Sequence, residues 1–307
     1  MSTGEVSIKE QIRRAALEAG ACAAGFASVG DGVDPAVHQA YIDWLAQGRH
    51  DTMDYLVRNA DARRHPSSVL PGAASMLCAA FSYNPGSSAR SPFFADYARG
   101  RDYHRVIPEL LDPVAQLMRE SVPGSDTRVC VDIFPVAERY WAVRAGIAAP
   151  LISGCVAVPG FGTKIFLAEI LWTAGVTPDA PLTARPCTRC GRCVRSCPGK
   201  ALLGDGTVDA RRCLSCLTIE HRGEMPEGLT LPGRIYGCDV CQDVCPLNQN
   251  VPAGLPEFDI APAVSALTAD ALAGMGSAVF RRTFARSAVL RISPKKLRAN
   301  LARACKI

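Results

Sequence analysis

Two short cysteine-rich runs restrict this chain more than any other part of its sequence. The first contains Cys187, Cys190, Cys193 and Cys197 with the spacing C-x2-C-x2-C-x3-C, followed by Pro198. Bacterial ferredoxins use this spacing for two 4Fe–4S clusters, because the first three thiolates bind one cubane and the fourth binds the other. The spacing therefore predicts a two-cluster module. It also predicts that a helix begins at the proline, where a missing backbone N–H costs nothing.

The second run supplies the remaining ligands. It contains Cys238, Cys241 and Cys245, again followed by a proline, but no cysteine lies three residues before Cys238. We predict that Cys213, in the stretch RCLSC, fills that place from a distance. The resulting assignment is crossed between the runs. Cluster 1 is bound by Cys187, Cys190, Cys193 and Cys245, and cluster 2 by Cys197, Cys213, Cys238 and Cys241.

A zinc site is the alternative interpretation of these cysteines. Two C-x2-C pairs, Cys190–Cys193 and Cys213–Cys216, are separated by 19 residues, which fits a zinc-ribbon template. That interpretation leaves the other ligand cysteines and both C-x2-C-x3-C-P endings unexplained, so we favour two clusters. Cys216 is then expected to be a packed or supporting thiol. Small buried hydrophobes are expected at the isolated positions Cys22, Cys78, Cys130, Cys155 and Cys305.

The composition of the 307-residue chain is that of an ordinary globular protein, with 48% hydrophobic and 21% charged residues. It lacks an apolar run of about 18 residues and a signal-peptide core, so we expect no membrane span and a cytoplasmic location. Thiols stay reduced there, which favours metal over disulfides for the 14 cysteines. Nine Lys or Arg and no acidic residue occupy the last 27 positions, which predicts either a phosphate-binding face or a solvated helical face.

Hydrophobic patterning divides the chain into three parts. Residues 1–175 mix helical and strand patterns, which predicts an α/β body. Its first helix has a capping box at Ser7 and Glu10, and PGAASMLCAAFSYN and KIFLAEILWTAGV are predicted to be buried strands. The stretch TRVCVDIFPVAERYWAVRAG predicts a strand, a turn and a helix. Residues 176–250 hold the cluster module behind a proline-rich linker, and residues 251–307 are predicted to be helical.

The chain resembles the epoxyqueuosine reductase family from its first helix to about residue 300. The matching stretches include WLAQGRHDTMDYL, RRHPSSVLPGAASM, YARGRDYHRVI, VDIFPVAERYWAVRAG, FGTKIFLAEI, RCLSCLTIE and GCDVCQDVCPLNQ, in this order. The resemblance implies an α+β fold, in which a nitroreductase-like, cobalamin-binding α/β domain is fused to a ferredoxin-like double 4Fe–4S module. It also implies relation to reductive dehalogenases.

The same resemblance implies the reaction and its partners. In the family, electrons pass through two 4Fe–4S clusters to cob(I)alamin, which reduces the epoxide of epoxyqueuosine in a tRNA anticodon to give queuosine and water. An external low-potential electron donor of the flavodoxin or ferredoxin type is therefore expected, with tRNA as the substrate and no membrane.

Asp132 matches the acid that is proposed for the family. A carboxyl group that protonates an alkoxide at neutral pH needs a raised pKa, which burial beside an apolar cofactor would provide. The residues alone permit a second interpretation, in which Asp132 caps the helix that begins near Pro135.

Five further residues match cofactor or pocket positions of the family. Tyr103 and His104 correspond to pocket-lining positions, although a lone histidine is also a common structural residue. Arg139 corresponds to an arginine near cofactor or substrate, and its alternative is an ion pair with Glu138. Gly162 and Thr163 match a Gly-Ser pair, where a small residue would let the backbone approach the corrin.

One loop departs from the family pattern. The family reads A-G-L-G-W-x-G-K-N, whereas this chain reads AGIAAPLISG, so that Ala149, Ile152 and Ser153 replace tryptophan, lysine and asparagine. A C-terminal HEAT-like domain is also not expected. A more apolar loop favours a divergent reductase that deoxygenates or dehalogenates a different small molecule, whereas the basic C-terminal stretch favours tRNA. A third hypothesis is a non-catalytic electron carrier or corrinoid-handling protein, in which Asp132 is dispensable.

Overall fold

An antiparallel sheet organises the first half of the chain. The computed structural model describes residues 7–86 and 90–304. Its strands are β1 (Ala23–Ser28), β2 (Ser75–Ser82), β3 (Thr127–Cys130), β4 (Ala149–Pro150), β5 (Val156–Ala157) and β6 (Ile165–Trp172). The main sheet has the order β1-β2-β6-β3, and β4 pairs with β5 as a separate hairpin.

Helices surround the sheet, and after β6 the described chain consists of short helices and the loops between them. The α-helices of the described ranges are α1 (Ile8–Glu18), α2 (Pro35–Ala46), α3 (Asp54–Arg58), α4 (Tyr103–Ser121), α5 (Glu138–Arg144), α6 (Arg192–Ser196), α7 (Leu214–Ile219), α8 (Val240–Asp243), α9 (Pro262–Ser265), α10 (Ala269–Ala273), α11 (Ser277–Thr283) and α12 (Pro294–Ala304). Short 3-10 helices lie at Ala62–Arg64, Pro66–Ser68, Asp96–Ala98, Ala210–Arg212, Pro246–Asn248, Pro256–Phe258 and Ala288–Arg291. None of the helices in these ranges is long and apolar enough to span a bilayer.

The local sequence signals for the α/β body are confirmed. The unbroken apolar run predicted a buried strand, and all eight residues of β2 are buried between β1 and β6. Ser7 Oγ accepts the backbone N–H of Glu10 at 3.3 Å, as the capping box predicted, while the Glu10 carboxylate pairs with Arg13. The stretch around Asp132 forms β3, an irregular loop and α5 in the predicted order.

The two faces of the sheet are covered by different helices. Because side chains alternate along a strand, Phe166, Ala168, Ile170 and Trp172 of β6 join the core formed with α1 and α4. Ile165, Leu167 and Leu171 join the opposite core, which contains the buried Trp141 of α5. Burying each such large side chain stabilises the fold by about 1.5–3 kcal/mol. The mouth of this second core becomes the candidate site.

The prediction that a helix begins at Pro198 is wrong. Residues 198 and 199 form a turn, and the helix precedes the fourth cysteine of the run, since α6 ends at Ser196. The physical reason is a close approach at Gly199, where an added Cβ would lie 1.8 Å from the carbonyl oxygen of Arg212. At the second run a proline does begin a helical turn, the 3-10 helix Pro246–Asn248.

Residues beyond 250 return to the sheet before they become helical. The N–H of Leu255 donates to the carbonyl of Ser82 at 3.0 Å, and that of Gly254 donates to the carbonyl of Asn84 at 2.8 Å. The later helices pack around Phe280 and Phe284 in a separate core. The three-part division of the chain therefore stays a prediction.

Candidate active site

A pocket opens beside the first residues of β6, where the start of α4, the loop after β3 and α8 meet. Its volume is about 260 Å³. Four of the six predicted pocket residues, Tyr103, Asp132, Arg139 and Thr163, are among its lining residues. The complete lining is Tyr83, Tyr103, Asp132, Glu138, Arg139, Cys155, Val156, Thr163, Ile165, Phe166, Leu167 and Gln242.

Asp132 is held in a strained loop at the mouth of this pocket. Its φ of +52° lies in the left-handed region, which is uncommon for a residue with a side chain. Its N–H donates to Glu138 Oε1 at 2.7 Å, while its carboxylate oxygen Oδ2 accepts the Tyr103 hydroxyl at 2.7 Å. The capping interpretation is not supported, because no side chain caps α5, whose N-cap residue is Ala137.

His104 connects Asp132 to a second carboxylate. Its Nε2 lies 3.1 Å from Asp132 Oδ2 and its Nδ1 lies 2.7 Å from Asp102 Oδ1. Burial lowers the pKa of His104, but the hydrogen bonds to Asp102 and Asp132 outweigh it and raise that pKa to about 9. His104 is therefore an imidazolium at neutral pH, with an N–H directed at each carboxylate.

The pKa of Asp132 is shifted in the direction opposite to our expectation. Burial raises this pKa, but the hydrogen bonds from His104 and Tyr103 outweigh it, and the pKa of Asp132 lies below its ordinary value. The expectation considered only the apolar neighbours in sequence, whereas two donors from α4 determine the result. At neutral pH the proton is thus on His104, one hydrogen bond away from the carboxylate.

Tyr103 supplies a rigid, neutral hydroxyl to this group. Its ring stacks on Phe166 with centroids 4.2 Å apart and on the imidazole of His104 with centroids 4.0 Å apart. Burial and the charge of Asp132 raise the pKa of Tyr103 far above its ordinary value. The phenol therefore stays protonated and donates to Asp132 over the whole working pH range.

Two glutamates behind Asp132, the half-buried Glu138 and the buried Glu169, are residues that the sequence analysis missed as functional candidates. Burial and the charge of Asp132 raise the pKa of Glu138 to about 7. Glu169, in the middle of β6, is fully buried, and within the described chain neither of its carboxylate oxygens has a hydrogen-bond partner. Burial and Glu138 raise its pKa well above the ordinary value. The sequence did contain a signal for Glu169, because it is the single acidic residue of the apolar strand FLAEILW.

Arg139, Gly162 and Thr163 act at the edges of the pocket. Arg139 Nη1 donates to the carbonyl of Gly154. Thr163 N donates to Asn248 Oδ1 at 2.7 Å. Gly162 does not line the pocket, and a Cβ there would lie 2.1 Å from Asn248 Oδ1. The small residue is thus needed for the approach of the cluster module.

The cysteines approach one another in the crossed pattern. Burial raises the pKa of Cys245, and the charges of Cys193, Cys187 and Cys190 raise it further, so these four thiols lie close together. Burial and the charge of Cys197 likewise raise the pKa of Cys213. The hydrogen bond with Cys155, burial and the charges of Cys213 and Cys238 raise the pKa of Cys241, so these thiols also lie close together. Among the described side chains, no three His, Cys, Asp or Glu surround a point where a single metal ion would fit.

The remaining cysteines differ in their surroundings. Cys155 was expected to be an isolated hydrophobe, but it lines the pocket and shares a hydrogen bond with Cys241, so it joins the pocket to the cysteines of cluster 2. Cys216 is buried, and its Sγ lies 3.6 Å from Asp51 Oδ2. Cys78 and Cys130 are buried and Cys22 is half-buried, whereas Cys305 lies outside the described residues.

The divergent loop faces the cluster module. Ala148, Ala149, Ile152 and Ser153 are buried, and none of residues 148–153 lines the pocket. Ile152 packs against Cys193 and Cys197. The replacement at Ile152 is therefore explained by packing on the cysteine module, and no residue of the divergent loop is part of the pocket lining.

Comparisons with known proteins point to one family. A family model described as a 4Fe-4S double cluster binding domain matches residues 186–248, and one described as epoxyqueuosine reductase QueG, DUF1730 matches residues 63–133. A protein named epoxyqueuosine reductase from Synechococcus sp. is 34% identical over 301 residues, covering 96% of this chain and 93% of that protein. Its namesake from Synechocystis sp. is 32% identical, covering 90% of this chain and 98% of that protein.

Solved structures agree with these relatives. The structure of epoxyqueuosine reductase from Streptococcus thermophilus superimposes with a TM-score of 0.84 at 27% identity, covering 97% of this chain and 81% of that one. The Bacillus subtilis enzyme with its catalytic aspartate loop swung out of the active site superimposes with a TM-score of 0.84 at 26% identity, covering 97% of this chain and 80% of that one. A crystal structure of epoxyqueuosine reductase with an epoxyqueuosine-modified stem loop of tRNA-Tyr superimposes with a TM-score of 0.83 at 26% identity, covering 97% of this chain and 80% of that one.

Proposed function

The chain belongs to the epoxyqueuosine reductase family of oxidoreductases, and from this premise we propose that it reduces the epoxide of epoxyqueuosine in a tRNA anticodon. The reaction consumes two electrons and two protons: both C–O bonds of the epoxide break, a C=C bond forms, and the oxygen leaves as water. The protein must therefore provide an electron route into the pocket and two proton donors beside the leaving oxygen. A cytoplasmic location is part of the proposal, because free thiol ligands need a reducing compartment.

The residues of the chain fit the cofactors of the family. Each set of four cysteines has the all-thiolate chemistry that 4Fe–4S clusters require. Ile133, next to Asp132, is 75% exposed, and Val156, Ile165 and Leu167 line the pocket, so an apolar surface is available to a flat corrin ring. Bound cobalamin would supply reducing equivalents to the epoxide carbons, and the clusters would replenish them. Cys155 and Cys241 connect the pocket to cluster 2.

Asp132, His104 and Tyr103 deliver the first proton in this proposal. The alkoxide that forms when the first C–O bond breaks is a strong base. Because Asp132 is ionised at neutral pH, the proton starts on His104, crosses the 3.1 Å contact to the Asp132 carboxylate and passes from there to the alkoxide. The Tyr103 hydroxyl fixes the orientation of the carboxylate at 2.7 Å. A general acid of this kind contributes about 10²–10⁴-fold in rate.

Glu138 is our candidate for the second proton. It lines the pocket and contacts the backbone of Asp132, and its pKa of about 7 leaves it partly protonated at neutral pH. Glu169 lies behind it in the apolar core and keeps a second carboxyl group in its neutral form. The neighbouring acids thus favour retention of a proton beside the site.

The observation that carries the proposal is the Tyr103–His104–Asp132 hydrogen-bonded group at a pocket that cysteines connect to the cluster module. Similarity to an enzyme solved with a modified tRNA stem loop supports tRNA as the substrate. The hypothesis of a different small molecule loses its main support, because residues 148–153 do not line the pocket. The non-catalytic hypothesis does not account for a proton-loaded histidine beside Asp132.

The proposal is tested by anaerobic turnover. Reconstituted protein with cobalamin and reduced clusters is mixed with a stem loop that contains epoxyqueuosine, and the digested nucleosides are separated by mass. We expect queuosine to form with wild-type protein and to form at least about 100-fold more slowly with Asp132→Asn. Equal rates for the two proteins would remove Asp132 from the mechanism, and an unchanged epoxide with fully loaded wild-type protein would refute the substrate.

A further inference from the structure

A dense group of exposed cations lies along the first cysteine run and next to Cys213. We call it the arginine face, and it consists of the exposed side chains Arg185, Arg189, Arg192, Arg195, Lys200 and Arg212. Residues 185–212 contain only two acidic positions, Asp205 and Asp209, and Asp209 is paired with Arg211 at 2.7 Å. Among the described residues, no carboxylate forms an ion pair with any member of the arginine face. Ion pairs within the described residues therefore leave its positive charge in place, with Glu227 as the acidic residue that lines the same pocket as Lys200 and Arg212.

Contacts to the backbone hold several of these cations in place. Lys200 Nζ donates to the carbonyl of Arg195 at 3.0 Å, and Arg212 Nε donates to that of Gly199 at 3.0 Å. Arg189 contacts the carbonyl of Gly204, next to Leu203, whose side chain is 45% exposed. An exposed apolar side chain beside exposed cations has the composition of a protein interface, which combines apolar and polar side chains.

The arginine face also lies on the side of the module where electrons must enter. Cys190 is exposed, and the exposed side chains of Arg189 and Arg192 flank it in the chain. The cysteines of cluster 2 lie towards the pocket instead, since Cys241 contacts the pocket residue Cys155. An electron therefore enters at cluster 1 and leaves from cluster 2.

We propose that the arginine face is the docking site for an acidic, low-potential, one-electron carrier protein. This inference rests on the proposed function, in which two electrons must reach the pocket in each turnover. The carrier is oxidised by one electron and cluster 1 is reduced by one electron at each encounter, so two encounters supply one turnover without any covalent step. Opposite charges steer such encounters and raise association rates by 10- to 1000-fold at low salt.

The test measures cluster reduction without any tRNA. Holoprotein with both clusters is mixed anaerobically, in a stopped-flow instrument, with an acidic flavodoxin in its hydroquinone form. The variant carries Arg192→Glu and Arg195→Glu. A matched control carries Arg14→Glu and Arg58→Glu, which change the net charge equally at exposed sites on α1 and α3. Reduced methyl viologen, a small cation that needs no docking surface, serves as a second reductant.

We expect the face variant to be reduced by flavodoxin at least about 10-fold more slowly than the control at low ionic strength. Reduction by methyl viologen should not slow. For wild-type protein the flavodoxin rate should fall as salt is added, which tests the proposal even if the variant loses iron. A wild-type rate that ignores salt, or equal rates for variant and control, would overturn it. In a separate binding assay, a variant that loses tRNA affinity while its rate of reduction stays unchanged would also overturn it, since the face would then bind RNA. Because the reduction assay contains no substrate, its failure is distinguishable from failure of the proposed reaction.

Discussion

Replacement of Asp102 by asparagine should move the alkaline limit of activity without touching the pocket. The raised pKa of His104, about 9 instead of 6.5, corresponds to roughly 3 kcal/mol at 1.36 kcal/mol per pKa unit. Two carboxylates share this stabilisation, through contacts of 2.7 Å to Asp102 and 3.1 Å to Asp132. Neutralising Asp102 should therefore lower the pKa of His104 by about 1 unit or slightly more, to near 8.

The sign of the effect follows from the direction of the shift. A raised pKa keeps His104 protonated below about pH 9, so the part of kcat/KM that depends on His104 should fall only as the pH passes 9, beyond the fall that ionisation of Glu138 near pH 7 causes in both proteins. In Asp102→Asn the fall should begin near pH 8. Variant and wild type should then agree within about twofold at pH 7 and differ by about fivefold at pH 9. Asparagine is as good an N-cap as aspartate, so α4 should keep its start.

The assay is the anaerobic pH dependence of kcat/KM on the modified stem loop. The control is Glu109→Gln on the same helix, which removes an exposed carboxylate that pairs with Arg101 at 3.1 Å and has no contact with His104. The control should reproduce the wild-type profile. If the alkaline limb of Asp102→Asn coincides with that of the wild type, His104 is not the proton source.

Three further changes test other parts of the account. Asp132→Asn should keep the cobalamin spectrum while turnover falls by at least about 100-fold, and loss of the spectrum would make the residue a cofactor contact instead. Cys238→Ser should lose iron and much of its solubility, because cluster binding is coupled to folding; retention of eight irons, as two 4Fe–4S clusters require, would contradict the assignment of this ligand. Gly162→Ala should lower the free energy of unfolding by about 1–3 kcal/mol, since φ is +73° and the new Cβ would meet Asn248; an unchanged Tm would show that the interface can move.

The features predicted best from the sequence are those encoded by local spacing. The buried strand β2 followed from an unbroken apolar run, and the cysteine module followed from the spacing of its ligands, because both depend on neighbours within a few residues. The prediction of a helix start at Pro198 failed because a distant residue, Arg212, packs its carbonyl closely against Gly199.

The chemistry of the site depends on contacts that no local pattern contains. The pKa of Asp132 is lowered by Tyr103 and His104, which lie 29 and 28 positions earlier in the chain. The place of Cys155 depends on Cys241, which belongs to the other half of the protein. Resemblance to a family pointed to six residues, four of which line the pocket, but the direction of the pKa shift required the folded arrangement.

We propose that this chain converts epoxyqueuosine to queuosine, and the decisive test is complementation of a strain without this activity. The gene is expressed in a bacterium that lacks its own epoxyqueuosine reductase, and the nucleosides of bulk tRNA are measured by mass spectrometry. We expect queuosine to appear and epoxyqueuosine to disappear in cells with the wild-type protein, and neither change in cells with the Asp132→Asn variant at equal protein level. Persistent epoxyqueuosine in cells that contain the cluster-loaded, cobalamin-loaded wild-type protein would contradict it.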